Sequence, residues 1–275
     1  MKSPHPNLIP MGEGIIRKKI VLLKISGKAI EDLMTKNAWI KTIRNLKNIF
    51  DAVIIVHGAG NLISEWCRAM GYETEFYEGQ RITDKKTMEV VAAVQSGLLN
   101  AKIVSRLQTN KINAIGLTGI DNGLFTAEYF DENSGYVGTP VLTGNMNWLH
   151  SIMGAGIVPV FSSICRDMEG NLMNVNADIF TKALAIAISA DTVLFLSDID
   201  GVKSGGALRM TLNSEDINYG ILKGEITDGM IPKLKSCTEM IEKGIKRVWI
   251  GRDLINFSDI NIKGTLIVES KSVTV

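Results

Sequence analysis

Short runs of branched apolar residues recur along the chain, and most of them end in glycine or polar residues. Runs that are apolar on both faces are typical of buried parallel strands, whereas apolar residues three or four apart indicate amphipathic helices. The predicted strands are residues 19–25, 52–57, 113–118, 157–161, 192–197, 247–250 and 265–268. The predicted helices are residues 29–50, 62–70, 85–110, 178–190 and 230–244.

This alternation of strands and helices predicts an α/β fold, a three-layer αβα sandwich with a central, mostly parallel sheet. The turn-rich stretch 119–144 is predicted to form hairpins over a site. Residues 1–18 are predicted to be a loose N-terminal extension, since residues 1–14 hold three prolines and two glycines. Residues 19–275 would then form two tightly joined lobes, about 19–163 and about 164–275.

Composition and charge exclude several classes of protein. The chain is 45% apolar and 21% charged, which is ordinary for a globular protein. A net charge of +1 gives no indication of nucleic acid or an anionic membrane as a partner. No apolar run reaches the ~18 residues of a membrane span, and the N-terminus lacks the apolar core of a signal peptide. Three scattered cysteines without zinc spacing favour a reduced, cytoplasmic compartment.

Candidate chemistry collects at the ends of predicted strands. Lys24 precedes a Ser-Gly turn, Gly58-Ala59-Gly60 follows the second strand, and Asp198-Ile-Asp-Gly201 follows the strand that begins at Thr192. Ligands of open α/β sheets bind at these ends, where glycine turns and helix N-termini offer backbone amides to anions. The pattern therefore predicts a phosphate site, although each glycine taken alone indicates only a turn.

The sequence lacks the familiar alternatives to such a site. It contains no GxxxxGK[ST] loop and no GxSxG elbow, and Ile63 stands where GxGxxG needs its third glycine. His5, His57 and His150 are too few and too scattered for a metal cluster. We interpret His57 as a structural hydrogen-bonding group and not as a base.

Seven short motifs follow one another along the chain. They are Lys24-Ile-Ser-Gly27, His57-Gly-Ala-Gly60, Gly79-Gln-Arg-Ile-Thr-Asp84 with Thr87-Met-Glu-Val90, Gly116-Leu-Thr-Gly119, Asn174-Val-Asn-Ala-Asp178, Ser197-Asp-Ile-Asp-Gly-Val202 and Gly229-Met-Ile-Pro-Lys233. In this order they resemble the amino-acid kinase superfamily, and their spacing over roughly residues 19–250 is similar to that of the acetylglutamate kinases. Gly-x-Arg-[Ile/Val]-Thr-Asp and Asn-x-Asn-Ala-Asp are the most specific, because they separate this branch from aspartate, carbamate and uridylate kinases.

The resemblance implies transfer of the ATP γ-phosphoryl group to the side-chain carboxylate of N-acetyl-L-glutamate, a step of arginine biosynthesis. A carboxylate is already ionised, so the protein must supply positive charge and amide donors rather than a general base. By similarity, Lys24 and Lys233 would flank the phosphoryl group and Asp178 would hold both lysines. ATP and Mg²⁺ are the implied cofactors, with the metal bridging phosphate oxygens and having little direct protein ligation.

The resemblance also implies the binding residues, with acyl-amino acid in the N-terminal lobe and ATP in the C-terminal lobe. Arg81 would pair bidentately with the substrate α-carboxylate. The plainer alternatives are a surface salt bridge for Arg81 and a carboxylate at a helix N-terminus for Asp178. The other implied substrate-binding residues are Gly58, Ala59, Asn174 and Asn176. The implied nucleotide-binding residues are Lys24, Gly27, Ser197, Asp198, Gly201, Gly229, Met230 and Lys233.

Four positions depart from the acetylglutamate kinase pattern. Ser26 and Asn61 are closer to uridylate kinases, and Asp228 adds a negative charge near the nucleotide. Ala59 replaces a glycine, which costs little only if φ is negative there. The alternatives left open are a kinase of another N-acylated or carrier-linked acidic amino acid such as α-aminoadipate, a uridylate-type nucleotide kinase, and a weakly active sensor.

Assembly is the last expectation from the sequence. Arginine-inhibited acetylglutamate kinases resemble one another in an N-terminal helix that links dimers into a hexamer. Proline and glycine inside a helix cost ~3 and ~1 kcal/mol, so residues 1–14 are not expected to form it. We therefore expect a homodimer insensitive to arginine. The expected dimer interface is the helix after Asp84, which carries an apolar stripe (Met88, Val91, Val94, Leu98 and Ile103). The alternative is that this stripe is covered within the chain.

Overall fold

The computed structural model describes residues 8–11, 14–17, 19–77, 79–227, 230–252 and 264–270. The helices are α1 (Lys28–Thr35), α2 (Asn37–Ile49), α3 (Gly60–Ala69), α4 (Lys85–Val91), α5 (Asn100–Thr109), α6 (Asn147–Gly154), α7 (Ala177–Ala187), α8 (Ser214–Leu222) and α9 (Met230–Glu242). A π-helical segment, Ala92–Leu99, joins α4 to α5, and a 3₁₀ turn covers Asp121–Gly123. The strands are β1 (Leu8–Met11), β2 (Gly14–Arg17), β3 (Ile20–Ile25), β4 (Ala52–His57), β5 (Phe76–Tyr77), β6 (Gln80–Arg81), β7 (Ala114–Thr118), β8 (Phe125–Tyr129), β9 (Val137–Leu142), β10 (Val158–Ser162), β11 (Ile164–Arg166), β12 (Leu172–Val175), β13 (Thr192–Leu196), β14 (Lys203–Ser204), β15 (Ala207–Leu208), β16 (Thr211–Leu212), β17 (Arg247–Gly251) and β18 (Thr265–Val268).

A central sheet of eight strands runs in the order β16-β18-β17-β13-β3-β4-β10-β7. The six strands from β17 to β7 are parallel, whereas β18 is antiparallel to β17 and β16 is parallel to β18. One hydrophobic core lies on each side of this sheet, with helices packed over it. The predicted α/β class, with a mostly parallel sheet between layers of helices, is confirmed.

Alternation along β3 decides which side of the sheet carries Lys24. Leu23 packs into the core formed with α1 to α5, and Leu22 packs into the opposite core formed with α6 to α9. Side chains two positions apart in a strand share a face. Lys24 therefore points to the side covered by α7 and α9.

The long helical pattern after Asp84 is confirmed, and most of its apolar stripe is covered within the chain. Met88, Val91, Val94 and Ile103 are buried in the core with the sheet, whereas Leu98 is half-buried. A subunit interface at this helix stays a prediction.

Local details differ from the predicted elements. The single predicted helix 29–50 is two helices, because Lys36 has an extended backbone (φ −99°, ψ 127°) between α1 and α2. The hairpin expected within 119–144 is confirmed as β8 and β9, which join β11 and β12 in a small closed barrel. The short hairpin of β5 and β6 and the helices α6 and α8 were not predicted.

The N-terminal stretch contains a β-hairpin where a loose extension was expected. β1 and β2 pair antiparallel, with Leu8 opposite Arg17. Pro10 lies in this two-stranded sheet, where a proline is tolerated because an edge strand need not donate on both sides. The described residues of the stretch are thus strands and not a helix.

The sheet order bears on the expected lobes. β3, β4, β10 and β7 come from residues 19–163 and are contiguous, and the remaining four strands come from residues 164–275. Both sets share one sheet, joined where β13 pairs with β3. The assignment of one ligand to each lobe stays a prediction.

Candidate active site

Two lysines converge on one carboxylate at the carboxyl end of β3. Lys24 Nζ lies 2.6 Å from Asp178 Oδ1, and Lys233 Nζ lies 3.5 Å from Asp178 Oδ2. Lys24 is buried on β3, Asp178 lies in the first turn of α7 and Lys233 lies on α9. Lys233 Nζ is also 5.7 Å from the centroid of the Phe195 ring on β13. The fold thus brings the three predicted catalytic residues together from three separate elements.

Asp178 is held in place by the start of its own helix. Asn176 caps α7, since its Oδ1 accepts hydrogen bonds from the backbone N of Asp178 (2.8 Å) and of Ile179 (3.4 Å). Burial alone raises the pKa of Asp178, but Lys24 and Lys233 outweigh burial and hold that pKa below its usual value. The carboxylate is therefore ionised, and it both suits the helix N-terminus and bridges the lysines.

Arg81 is a buried residue, so its interpretation as a surface salt bridge is wrong. Its Nη2 donates to the carbonyl oxygen of Gly60 (2.9 Å) and to Ser64 Oγ (2.7 Å), and its Cζ lies 4.8 Å from the Phe76 ring centroid. Its Nη1 is buried and has no hydrogen-bond partner within the described residues. Burial lowers the pKa of Arg81. A buried guanidinium with an unused donor is suited to an anionic ligand.

Asn174 is tied to the strand of Arg81 through Thr83. Asn174 Nδ2 donates to Thr83 Oγ1 (3.1 Å), which donates in turn to the carbonyl oxygen of Arg81 (2.7 Å). Asn174 lies on β12, two residues before Asn176, the N-cap of α7. The three predicted substrate-binding side chains therefore lie on neighbouring segments.

The loop after β4 lies against the start of α7. A Cβ on Gly58 would lie 3.5 Å from the Cβ of Ala177, an ordinary contact distance. Ala59 precedes α3 with φ −145°, so the backbone does not require glycine there. The departure at Ala59 is thus compatible with the loop.

Gly27 forms the turn between β3 and α1. Its φ of +52° favours glycine, and a Cβ would lie 2.8 Å from Asp198 Oδ2. Ser197 and Asp198 also border a cleft of about 520 Å³, together with Asn61 and residues of α1 and α2. The structure therefore places Ser197 and Asp198 beside the Gly27 turn.

The remaining nucleotide-binding candidates differ in position. Met230 begins α9, one turn before Lys233. Gly201 is buried with φ +138°, and a Cβ there would lie 2.8 Å from Thr265 Oγ1, so packing alone explains this glycine. Gly229, like the departure at Asp228, lies outside the described residues.

Several contacts of the site were missed by sequence reasoning. Phe76 lies opposite Arg81 in the hairpin of β5 and β6, and Gly79 between these strands is the turn signal that could have indicated it. Arg252 donates to the carbonyl oxygen of Asp198 and pairs with Asp200 (3.3 Å). No sequence signal for the Arg252 contacts was available.

Other chemistries have little support in the described part of the chain. It contains no group of three or more His, Cys, Asp or Glu side chains that could hold a metal ion. Cys67, Cys165 and Cys237 are buried thiols, and burial raises the pKa of Cys165 and Cys237 to about 12. Within the same residues, no helix combines the length and apolar character needed to cross a membrane.

Comparisons with known proteins agree with this arrangement. Residues 19–252 match the model of the amino acid kinase family. The chain is 34% identical to the acetylglutamate kinase of Chlorobaculum tepidum over 84% of this chain and 81% of the relative, and 37% identical to that of Campylobacter hominis over 85% and 83%. A solved structure from Streptococcus mutans UA159 (smu.665) superposes with a TM-score of 0.79 at 26% identity, covering 90% of this chain and 98% of that one. These matches confirm the prediction of a kinase. The chain belongs to the amino acid kinase family and, within it, to the acetylglutamate kinases.

Proposed function

We propose that the chain transfers the γ-phosphoryl group of ATP to the side-chain carboxylate of N-acetyl-L-glutamate, giving an acyl phosphate and ADP in arginine biosynthesis. The observation that carries this proposal is the pair of lysines, Lys24 and Lys233, held on Asp178. A carboxylate acceptor and a triphosphate repel each other, and positive charge must offset this repulsion as they approach. Since the acceptor is already ionised, no general base is required of the protein.

Arg81 and Asn176 support an acidic N-acylated substrate. A buried donor without a partner costs about 1–3 kcal/mol, and a carboxylate bound to Nη1 of Arg81 would recover that cost. Asn176 uses its Oδ1 to cap α7, so its Nδ2 is the atom left to donate to the substrate. Gly58 and Ala59 would offer backbone amides beside the phosphoryl group.

Gly27 supports the binding of ATP beside Lys24. The Gly27 turn leads into α1, whose first backbone amides can bind a phosphate, and the positive φ and the nearness of Asp198 both favour glycine there. We propose Ser197, Asp198, Gly201, Gly229 and Met230 as further nucleotide-binding residues. Mg²⁺, when bound with the nucleotide, would neutralise part of the phosphate charge.

A substrate panel tests the proposed function. Purified protein is assayed for ADP release and for acyl phosphate, trapped with hydroxylamine, using N-acetyl-L-glutamate, N-acylated α-aminoadipate and UMP. We expect turnover with N-acetyl-L-glutamate to dominate. Turnover with UMP alone, with α-aminoadipate alone, or with none of the three would overturn the proposal in favour of the corresponding alternative.

A lysine substitution with a matched control tests the role of the two lysines that contact Asp178. Lys233→Ala should lower kcat on the order of 10²–10³-fold, because it removes transition-state charge stabilisation. Lys182→Ala breaks a comparable ion pair between α7 and α9, Lys182 Nζ to Glu239 Oε2 at 2.5 Å, outside the site. It should leave kcat unchanged. Equal effects of the two variants would contradict the assignment.

We further propose a cytoplasmic homodimer that arginine does not inhibit. Support comes from the N-terminal stretch, whose described residues are strands and so differ from the helix expected of hexameric relatives. Light scattering coupled to size exclusion, with and without arginine, tests this. A mass near six chains, or inhibition by arginine, would contradict it.

A further inference from the structure

A group of polar side chains lies buried beneath the site and has no part in the chemistry proposed above. We call it the polar network, and all but Ser96 of its members are at most 5% exposed. Buried polar groups cost free energy unless they are hydrogen-bonded, so a connected set of them indicates a specific demand on geometry. Four members, His57, Gln95, Asn100 and Ser163, are linked to one another by hydrogen bonds, and the other two, Ser96 and Ser162, form a separate pair beside them.

The π-helical segment Ala92–Leu99 aims two of these side chains at the sheet. The backbone N of Asn100 donates to the carbonyl oxygen of Gln95, five residues earlier. Residues five apart are about 140° apart around an α-helix. The wider π turn brings them to the same side. Both then reach His57: Asn100 Nδ2 lies 3.0 Å from its Nε2, and Gln95 Nε2 lies 3.4 Å from its carbonyl oxygen.

Asn100 fixes the ring that precedes the loop after β4. Its Nδ2 also donates to the carbonyl oxygen of Val160 (2.9 Å), which can only accept, and this sets the orientation of the amide. Nε2 of His57 must then accept, so the ring proton is on Nδ1, 3.3 Å from the carbonyl oxygen of Gly58. Gly116 makes room for this arrangement, because a Cβ there would lie 2.0 Å from Asn100 Oδ1.

Gln95 reaches the second substrate-binding segment from the same helical turn. Its Nε2 donates to Ser163 Oγ (2.9 Å), and the carbonyl oxygen of Ser163 accepts from the backbone N of Val175 (3.1 Å). Val175 lies between Asn174 and Asn176. The network therefore joins the end of β4 to the segment 174–176.

We propose that Gln95 and Asn100 are positioning residues, which hold the loop of Gly58 and Ala59 and the segment 174–176 at the separation that phosphoryl transfer requires. This inference rests on the proposed function for the identity of the reaction. Neither residue touches substrate, and both act through the ends of β4 and β10. Misplacement of reacting groups by about 1 Å can cost on the order of 10²-fold in rate.

Two matched substitutions on one continuous helix test the proposal. Gln95→Met removes the link to Ser163, whereas Gln108→Met removes a similar bond, from Nε2 to the carbonyl oxygen of Ala114 (3.0 Å), outside the network. Gln95→Met should lower kcat roughly tenfold or more and raise KM for the acyl-amino acid, with the Kd for ATP unchanged. Gln108→Met should change none of these. Wild-type kcat and KM in Gln95→Met, or equal losses in both variants, would overturn the proposal.

Hydrogen exchange separates this inference from the proposed function. In Gln95→Met the backbone amides of residues 58–59 and 174–176 should exchange faster than in wild type, and in Gln108→Met they should not. If wild type phosphorylates none of the substrates but this exchange pattern is seen, the network is supported and the proposed reaction is not. Unchanged exchange in Gln95→Met refutes the network whatever the activity. If that variant does not fold, Ser163→Ala, which removes only the Oγ that accepts from Gln95 Nε2 (2.9 Å), gives a milder test with the same expected pattern.

Discussion

Burial of His57 predicts a stability that falls between neutral and acidic pH. The side chain is fully buried, and burial lowers its pKa from 6.5 to about 4 although a hydrogen bond to Gly58 opposes the shift. Between these two values the unfolded chain binds a proton at His57 that the folded chain does not. The contribution of His57 to stability is therefore fully present above pH 6.5 and is lost as pH falls towards 4.

The size of the effect follows from the two pKa values. One pH unit corresponds to about 1.4 kcal/mol, so the interval from 6.5 to about 4 corresponds to about 3 kcal/mol of unfolding free energy. Carboxylates with lowered pKa values, such as Asp178, affect stability at lower pH than His57 does. Their contribution to the free energy of unfolding is lost only as pH falls below 3.8, the usual pKa of an aspartate.

Urea unfolding of wild type and His57→Gln, at a series of pH values across this interval, measures the effect. Glutamine keeps an oxygen that can accept from Asn100 Nδ2 but does not titrate. We expect the wild-type free energy of unfolding to fall across the interval and that of His57→Gln to change much less. The reasoning is refuted if wild type is equally stable throughout, or if both proteins lose the same free energy.

Three further predictions concern the site itself. Asp178→Asn removes the carboxylate that both lysines contact, so kcat should fall on the order of 10²-fold at a near-native Tm; near-normal turnover would exclude Asp178 from the mechanism. Arg81→Lys should raise KM for the acyl-amino acid roughly 10- to 100-fold, the worth of one charge-assisted hydrogen bond, and leave KM for ATP unchanged; an equal rise in both would indicate general damage. Gly27→Ala places a Cβ 2.8 Å from Asp198 Oδ2 and should cost about 1–3 kcal/mol of stability as well as activity. Gly224→Ala, at φ +68° in open space, should cost stability alone, and loss of activity in both would contradict the role of Gly27.

The sheet and the lysine cluster could be predicted because their signals are local and repeated. β4 begins and ends at the predicted residues, since all six of its side chains are buried and apolar residues fill both faces up to His57. Parallel strands place their carboxyl ends at one edge, which predicts Lys24 at the ligand-binding edge of the sheet. The start of α7 follows β12 of the small barrel, so only the order of the motifs predicted Asp178 beside Lys24. Lys233 was likewise predicted from the order of the motifs, because the pattern of apolar residues does not indicate that it lies near Lys24.

The parts that could not be predicted depend on tertiary contacts. The Phe76–Arg81 pairing lies in strands of two residues, too short for any period to appear. The break at Lys36 carries neither proline nor glycine, so no local signal marks it. The π-helical turn could not be predicted because the contacts of Gln95 and Asn100 that accompany it are made with His57, which is distant in the sequence.

Two departures from the family pattern, Ser26 and Asn61, lie near residues proposed to bind the nucleotide, whereas Ala59 is itself proposed to bind substrate. Ser26 Oγ donates to the carbonyl oxygen of Leu196 (3.3 Å), so this serine ties the end of β3 to β13 just before the Gly27 turn. Asn61 borders the cleft that Asp198 also lines, and Ala59 fills the core without strain. None of these side chains displaces Arg81. A change in activity caused by Ser26 or Asn61 should therefore be seen first in KM for ATP, whereas discrimination among acidic N-acylated substrates should depend on Arg81, which matches the family.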